Sequence, residues 1–352
     1  MHPENKTLVI LTPGFPQSEA DTTCLPMQQN FVKALNENYP RLKIIILSFQ
    51  YPYFTKTYKW YDTTVISFNG KNKGGLAKLL LRRKLNAALQ EINSSNKIVG
   101  ILSFWYNECA WVGKKFADKN NLKHYSWLLG QDARQNNRYP KSLQLAAGEL
   151  IALSDFLQDE FEKNHGIKPQ HVITPGINTK HSGTAVKKRD IDILGAGSLI
   201  PLKQYDIFIQ LIFEIKKQQP AVKAMLVGNG PEKEKLQNLI LKYGLQENIM
   251  LTGEVSYDEV LEMMHRTKVF LHPSAYEGFS GVCQEALYSG ARVISFCRAM
   301  KQEIEHWHIV HNKDEMKQKA LEVLQQPGAV YKSVAPFLMN DTVKKMMHLF
   351  SI

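Results

Sequence analysis

The stretch "SAYEGFSGVCQEALYSG", residues 274–290, combines residue types that can hold a polar ligand. Glu277 and Glu285 flank a glycine-containing bend, and the main-chain amides after the bend come free at a predicted helix start, where they would bind an anion. The two carboxylates would repel an anion, but each can accept hydrogen bonds from adjacent hydroxyls. The pattern therefore predicts a sugar–diphosphate–ribose ligand. The amides of this cradle are those of Phe279, Ser280, Gly281 and Val282, and Gly278 belongs to the bend before them.

Either glutamate alone has a simpler explanation. Glu285 would be an ordinary acid of a first helical turn, favoured there by the helix dipole, and Glu277 would be a loop residue. Only their occurrence together around the bend favours a binding site.

A second glycine turn follows the apolar run "IDILGAG". Gly195 and Gly197 resemble a dinucleotide fingerprint, but Ile200 stands where its third glycine would be, so this motif is weak evidence. Lys203 in the same bend can neutralise a phosphate. A solvated lysine at a helix start is an equally good interpretation from spacing alone.

The stretch "VGNGPEKEKL" contains a third glycine turn. Gly228 and Gly230 are explained most simply by the turn itself.

Short apolar runs alternate with helical patterns along the whole chain, which predicts parallel sheets covered on both faces. A stretch rich in Pro, Gly, Thr and charge, "ITPGINTKHSGTAVKKRD", interrupts the alternation. We therefore predict two α/β domains, residues 1–175 and 176–335, facing each other across a cleft. The helical pattern at about 336–352 should pack back on the first domain. Ligands in such folds bind at the carboxyl ends of the strands.

The 352-residue chain has a formal net charge of +11, which favours anionic partners. Residues 75–90 are predicted to form an amphipathic helix in which an apolar stripe lies beside basic residues. It either packs on the sheet as a surface helix or touches an anionic membrane. The stripe consists of Leu76, Leu79, Leu80 and Leu85. No basic–aromatic module indicates nucleic-acid binding. Four cysteines without a C-x-x-C pair indicate a reducing cytoplasm. The positive charge and the basic helix suit peripheral association at the inner membrane face.

The bracket E-x7-E resembles the signature of the retaining glycosyltransferases of family 4 (group 1), which have the GT-B fold of two Rossmann-like domains. Ordered segments over about 200 residues extend the resemblance. They are "ALSDFLQDEFEKNHGIKPQHVITPGIN", "GAGSLIPLKQYDIFIQLI", "LVGNGPEKEKLQNL" and "ENIMLTGEVSYDEVLEMM".

The resemblance implies roles for individual residues. Lys203 would contact the donor diphosphate, Glu277 the hydroxyls of the donor sugar, and Glu285 the ribose. Asp132 in "WLLGQDARQ" would lie near the sugar, as a catalytic residue together with Glu277 and Lys203. The other donor-binding residues would be Gly14, Gly197, Ser198, Gly228, Gly253 and Gly278 to Val282. Ser198 replaces the family's arginine and Gln204 its glycine, so Arg134 or Arg298 would supply further charge.

No metal or other cofactor is expected. Asp190 and Asp192 form a D-x-D, but they precede or open a strand, at the end opposite the predicted ligand. The implied activity is transfer of a sugar from a nucleotide-sugar donor to a glycan or lipid-linked acceptor, in cell-envelope or exopolysaccharide synthesis. A GT-B-fold nucleotide-sugar epimerase and a noncatalytic sugar-nucleotide-binding protein remain as alternatives.

Overall fold

The computed structural model describes residues 6–179 and 188–352. Residues 180–187 of the predicted linker lie outside the described residues. The chain divides into two compact units. The N-terminal unit ends at Asn178 and also includes Met339–Ile352, and the C-terminal unit runs from Thr179 to Leu338.

The N-terminal unit contains a sheet of eight strands among the described residues, in the order β3-β4-β2-β1-β5-β6-β7-β8. The strands are β1 (Lys6–Gly14), β2 (Lys43–Tyr51), β3 (Thr55–Trp60), β4 (Thr63–Phe68), β5 (Lys97–Phe104), β6 (His124–Leu128), β7 (Leu150–Ala152) and β8 (His171–Val172). The helices are α1 (Pro26–Asn38), α2 (Gly75–Ser95), α3 (Glu108–Asn120), α4 (Tyr139–Leu143), α5 (Asp155–His165) and α11 (Met339–Leu349). Every strand pair is parallel except β3–β4, which is antiparallel.

The long helices cover both faces of this sheet. Leu81, Leu85 and Leu89 of α2 pack with α3 against buried residues of β1, β2 and β5. On the other side α11 packs on α1, and the Thr342 hydroxyl donates to the Thr174 carbonyl at 2.7 Å. The C-terminal helix thus belongs to the N-terminal unit.

The C-terminal unit contains a fully parallel sheet of six strands in its described part, in the order β11-β10-β9-β12-β13-β14. The strands are β9 (Ile191–Ala196), β10 (Ala224–Val227), β11 (Ile249–Gly253), β12 (Thr267–His272), β13 (Arg292–Ser295) and β14 (Trp307–Ile309). The helices are α6 (Tyr205–Lys216), α7 (Lys233–Lys242), α8 (Tyr257–His265), α9 (Gly281–Tyr288) and α10 (Lys313–Gln325). One core packs α6, α7 and α10 on the sheet, and a second packs α8 and α9 on the opposite face.

The prediction that four leucines form one apolar stripe along α2 is wrong. Leu85 is buried, but Leu76, Leu79 and Leu80 are 81%, 46% and 55% exposed. A helix turns by about 100° per residue, so Leu85 lies on the face opposite to the other three. The buried face consists of Leu81, Leu85, Leu89 and Ile92. No helix within residues 6–179 and 188–352 is long and apolar enough to cross a membrane.

Candidate active site

The candidate site is built at one edge of the C-terminal sheet. Strands β9, β10, β12 and β13 are parallel neighbours. Their last residues are in register: Ala196 of β9 pairs with Val227 of β10, and His272 of β12 pairs with Ser295 of β13. Because the carboxyl ends of parallel strands meet at the same edge, the loops that follow these four strands lie side by side. Three of those loops contain the predicted site residues of this unit: the turns at Gly197 and Gly228, and the bend that starts at Glu277. Gly253 ends β11 beside them.

The turns at Gly197 and Gly228 pack directly on each other. Gly197 has φ +148° and Gly228 has φ +139°, conformations that side chains rarely adopt. A Cβ atom on Gly228 would overlap the carbonyl oxygen of Gly197, and a Cβ on Gly197 would lie 2.8 Å from the Tyr205 hydroxyl. Gly228 is therefore required by close backbone packing, and Gly197 by its backbone conformation and by the nearby Tyr205 side chain. Ser198, after the first of them, is exposed.

Lys203, Glu277 and His272 form one charged cluster. Lys203 ends the 3-10 turn Pro201–Lys203, and its Nζ pairs with Oε1 of Glu277. Nε2 of His272 lies 2.9 Å from the same oxygen. The side chains of Lys203 and Glu277 are 18% and 16% exposed, and that of His272 is 1% exposed. A strand end thus places a buried imidazole under an ion pair that reaches the surface.

The cluster determines the protonation of its members. Burial raises the pKa of Glu277, but the hydrogen bond from His272 and the nearby positive charge of Lys203 outweigh burial and lower the pKa to about 2. Burial lowers the pKa of His272, which favours a neutral ring. A carboxylate only accepts hydrogen bonds, so the single ring proton lies on Nε2. Among the described residues Nδ1 has no hydrogen-bond partner, which agrees with this tautomer.

The bend after Glu277 is anchored by an aromatic side chain. Phe279 is buried and meets Trp307 and Phe337 edge-on, with ring centroids 6.0 and 5.8 Å apart. Ser280 precedes α9 and makes no side-chain cap hydrogen bond there; its Oγ lies 3.4 Å from Nε2 of His272. The first amides of α9, from Gly281 onward, are therefore not capped by that side chain.

Glu285 lies in the second turn of α9, not in the first, so the first-turn explanation does not apply to it. The Tyr257 hydroxyl donates to Oε1 of Glu285 at 2.8 Å. Burial raises the pKa of this carboxyl, and the hydrogen bond from Tyr257 only partly opposes that effect. Glu285 is thus a half-buried carboxyl with one fixed donor.

Two residues of this site were missed by the sequence interpretation, His272 and Tyr257. The signal for His272 was a polar residue at the carboxyl end of an apolar strand. Tyr257 opens a helix 28 residues before its partner, and no local pattern links the two.

Two predicted site residues lie in the N-terminal unit. Asp132 is 6% exposed, and its carboxylate accepts the amides of Tyr106 at 2.9 Å, Gly130 at 2.8 Å and Leu129 at 3.1 Å. Burial raises its pKa and these amides oppose the rise. We interpret Asp132 as a brace between the loops that follow β5 and β6. Gly14 ends β1, where a Cβ atom would make an ordinary 3.6 Å contact with Tyr51.

The D-x-D motif lies at the opposite edge of the C-terminal sheet, at the start of β9. Arg266 pairs with Asp190 at 2.6 Å, and Lys268 pairs with Asp192 at 2.7 Å. Both acids are thus engaged in ion pairs away from the candidate site.

Solved structures define the class of fold. The chain matches the Anabaena HepE structure in complex with UDP and glucose at a TM-score of 0.70, with 16% identity over 98% of this chain and 99% of that one. A glycosyltransferase structure from Rickettsia africae matches at 0.74, with 14% identity over 99% and 98% of the two chains. Together with the two mostly parallel α/β sheets, this likeness shows the two-domain GT-B fold, which confirms the predicted fold class.

Residues 177–329 match the family model "Glycosyl transferases group 1". This part of the chain is therefore similar to group 1 glycosyltransferase domains. The gpi3 subunit of the Schizosaccharomyces pombe phosphatidylinositol N-acetylglucosaminyltransferase is 38% identical over 93 residues, 26% of this chain and 20% of that protein. The 2-deoxystreptamine N-acetyl-D-glucosaminyltransferase of Niallia circulans is 25% identical over 162 residues, 45% and 39% of the two chains. The chain thus spans less than half the length of these relatives.

Proposed function

We propose that this chain is a retaining glycosyltransferase of family 4 that moves a sugar from a nucleotide-sugar donor to a glycan or lipid-linked acceptor. The cluster of Lys203, Glu277 and His272 is the observation that carries the proposal. It combines a cation for a diphosphate with an oriented carboxylate for sugar hydroxyls, at the sheet edge where α/β folds bind ligands.

A UDP-sugar is the proposed donor. One structural neighbour, Anabaena HepE, was solved with UDP and glucose, and another, the pneumococcal O-GlcNAc transferase GtfA, with UDP and GlcNAc. Two curated relatives are named as N-acetylglucosaminyltransferases. These names support a UDP-linked hexose or N-acetylhexosamine.

Each part of the donor has a matching group. Glu285, fixed by Tyr257 through one oxygen, would accept the ribose hydroxyls. The Lys203 ammonium and the first amides of α9 would meet the diphosphate. Glu277 uses Oε1 for Lys203 and His272, which leaves Oε2 to accept from hydroxyls of the donor sugar.

Electrostatic stabilisation would supply the catalysis. Negative charge grows on the diphosphate as the bond to the sugar breaks, and a cation that is already in place stabilises that charge. Lys203 would then be shared between Glu277 and the phosphates. We propose that no metal ion is needed, because the lysine and helix amides serve the diphosphate and the D-x-D acids are paired elsewhere.

The first test is a thermal-shift panel with UDP, GDP, ADP and CMP on wild type and on Glu285→Ala. A nucleotide that binds the folded state raises the melting temperature by mass action. UDP should give the largest rise, and Glu285→Ala should reduce it. A panel without any shift would contradict the donor site.

The second test follows transfer from UDP-glucose and UDP-N-acetylglucosamine to a panel of glycan and lipid acceptors, with Glu277→Gln as the variant. We expect nucleotide release that requires an acceptor and that falls in the variant, while UDP binding stays. Donor conversion without an acceptor would indicate an epimerase, and binding without turnover a noncatalytic protein. An α-linked product from an α-linked donor would support retention.

The outer face of α2 supports a membrane-bound acceptor. Leu76, Leu79 and Leu80 are exposed, and Arg83 and Lys84 beside them are exposed as well. Exposed leucines next to cations favour an anionic lipid surface. We therefore propose a cytoplasmic protein that acts at the inner face of the membrane, in envelope or exopolysaccharide synthesis.

Vesicle sedimentation tests this placement. Binding to phosphatidylglycerol vesicles should weaken with salt and with Arg83→Glu plus Lys84→Glu. Arg82 is left unchanged, because its guanidinium pairs with Glu108 inside the unit. A matched control is Lys344→Glu plus Lys345→Glu, on the exposed side of α11. If both double variants lose vesicle binding equally, the binding depends only on net charge and not on α2.

A further inference from the structure

Tyr205 carries a buried hydroxyl that the proposed mechanism does not use. It opens α6, two positions after Lys203, and is 1% exposed. Its ring belongs to the core that packs α6 on the sheet, and it meets Phe208 edge-on, with ring centroids 6.4 Å apart. Among the described residues its hydroxyl has no hydrogen-bond partner. A buried hydroxyl without a partner destabilises the folded state, so its place in this site calls for an explanation.

The hydroxyl lies beside the charged cluster of the candidate active site. A Cβ atom built on Gly197 would be 2.8 Å from the Tyr205 hydroxyl and 3.8 Å from Cε of Lys203. The hydroxyl and the lysine stem are therefore neighbours on either side of one point. Nζ of the same lysine pairs with Glu277. The lysine side chain thus leads from the hydroxyl to the carboxylate.

The hydroxyl stays protonated, so it is available as a donor. Burial raises the pKa of Tyr205, and the negative charge of Glu277 raises it further. The charge that disfavours ionisation of the hydroxyl also attracts its proton. A carboxylate only accepts hydrogen bonds, so Tyr205 and Glu277 are complementary groups.

Glu277 has different needs in the free protein and in the donor complex. In the free protein it accepts from Lys203 and from His272. In the proposed function Lys203 is drawn to the donor diphosphate, which leaves Glu277 with one of its two donors. The carboxylate is only 16% exposed, and a largely buried charge that loses a partner is destabilised. The shift of Lys203 is therefore unfavourable unless another donor replaces it.

We propose that the Tyr205 hydroxyl is this replacement, and that it donates to Glu277 when Lys203 turns to the diphosphate. In the donor complex it keeps Glu277 ionised and in place. Tyr205 is thus a positioning residue that acts on the donor through Glu277. Only the departure of Lys203 to a diphosphate rests on the proposed function. The exchange of partners at Glu277 can be tested without any ligand.

Replacement of Lys203 by methionine imitates the state in which the ammonium has left Glu277. The test measures urea unfolding midpoints for Tyr205→Phe in wild type and in Lys203→Met. In wild type, phenylalanine keeps the ring and removes a hydroxyl that pairs with no described residue, so the midpoint should stay or rise. In Lys203→Met the hydroxyl has an acceptor. Its removal should then lower the midpoint and raise the unfolding equilibrium constant about tenfold.

Tyr243→Phe is the matched control. Tyr243 lies at the end of α7 in the same unit and packs on the same core as Tyr205. Its replacement should change the midpoint equally in both backgrounds. A purely structural role of Tyr205 would give the same result for Tyr205→Phe, and that result would overturn the proposal.

Nucleotide binding is the second measurement, and it decides the matter if Lys203→Met fails to fold. UDP carries a diphosphate and UMP does not. In calorimetry Tyr205→Phe should therefore weaken UDP about tenfold and leave UMP unchanged. Equal UDP affinity of wild type and Tyr205→Phe would overturn the part of Tyr205 in donor binding. If wild type binds no UDP, the donor site is refuted, while the unfolding midpoints still decide the exchange at Glu277.

Discussion

Replacement of His272 by phenylalanine tests the geometry of the candidate active site most directly. The variant keeps a ring that can lie beside Phe270, as the imidazole does, but removes the N–H that points at Oε1 of Glu277. We expect Glu277 to keep only its pair with Lys203. Its Oε2 would then be free to turn away from the donor sugar. In the proposed site His272 would act on the donor only through Glu277, so its role would be to position that carboxylate.

The expected loss follows from the hydrogen bond that is removed. A hydrogen bond to a charged group contributes about 1.5–3 kcal/mol, which corresponds to about 10- to 150-fold in kcat/KM. The loss should appear in kcat, because in the proposed site other residues would hold UDP, so the thermal shift with UDP should stay. His272→Gln retains an N–H donor and should recover part of the rate.

The pH profile separates positioning from a general loss of packing. In wild type Glu277, with a pKa of about 2, stays ionised throughout the assay range. Without the hydrogen bond from His272, burial raises the pKa of this carboxyl, so the rate of His272→Phe should fall at acidic pH where wild type stays flat. His311→Phe at an exposed position is the control. An unchanged kcat, or an equal fall in UDP binding, would refute the positioning role.

Three further variants test the remaining assignments. Burial raises the pKa of Glu285 above its unfolded value, so the stability linked to this carboxyl is present at low pH and is lost as pH rises through the raised pKa. Glu285→Gln should therefore raise the melting temperature at neutral pH and weaken UDP binding. A lowered melting temperature would contradict this. Lys203→Ala should lower transfer about 10²-fold or more, and wild-type transfer should persist in excess EDTA; loss in EDTA that Mg²⁺ restores would contradict metal independence. Asp132→Asn should cost about 1–3 kcal/mol of unfolding free energy in urea titrations, since an amide nitrogen would face backbone N–H donors, and an unchanged midpoint would argue against the brace.

Local patterns predicted most of the fold, and one strand shows where they stop. Buried strands such as β1 and β12 are continuous apolar runs, which can be recognised without any knowledge of their neighbours. Strand β3, "TKTYKW", has only Trp60 buried, so it has no apolar run. It forms because its backbone pairs with the edge of β4 in antiparallel register. That pairing is a property of the sheet and not of the six residues.

Helix α2 shows a second limit. Its leucines occur at several helical spacings at once, so more than one stripe can be drawn through them. The packing of Leu81, Leu85 and Leu89 against the sheet and α3 selects one face and leaves Leu76, Leu79 and Leu80 exposed. The basic and apolar character of the helix was readable from the sequence, but the direction of each side chain was not.

The sequence by itself determined the alternation of strands and helices, the glycine turns and the two glutamates around the bend, because these depend on residue types and on spacings of a few positions. Only the tertiary structure decided the partners of those glutamates. Lys203 meets Glu277 across 74 positions, and Tyr257 meets Glu285 across 28. Contacts of that kind exist only once parallel strands have brought their carboxyl ends to one edge. The chemistry of this site is therefore set by the order of strands in the sheet, which no local pattern contains.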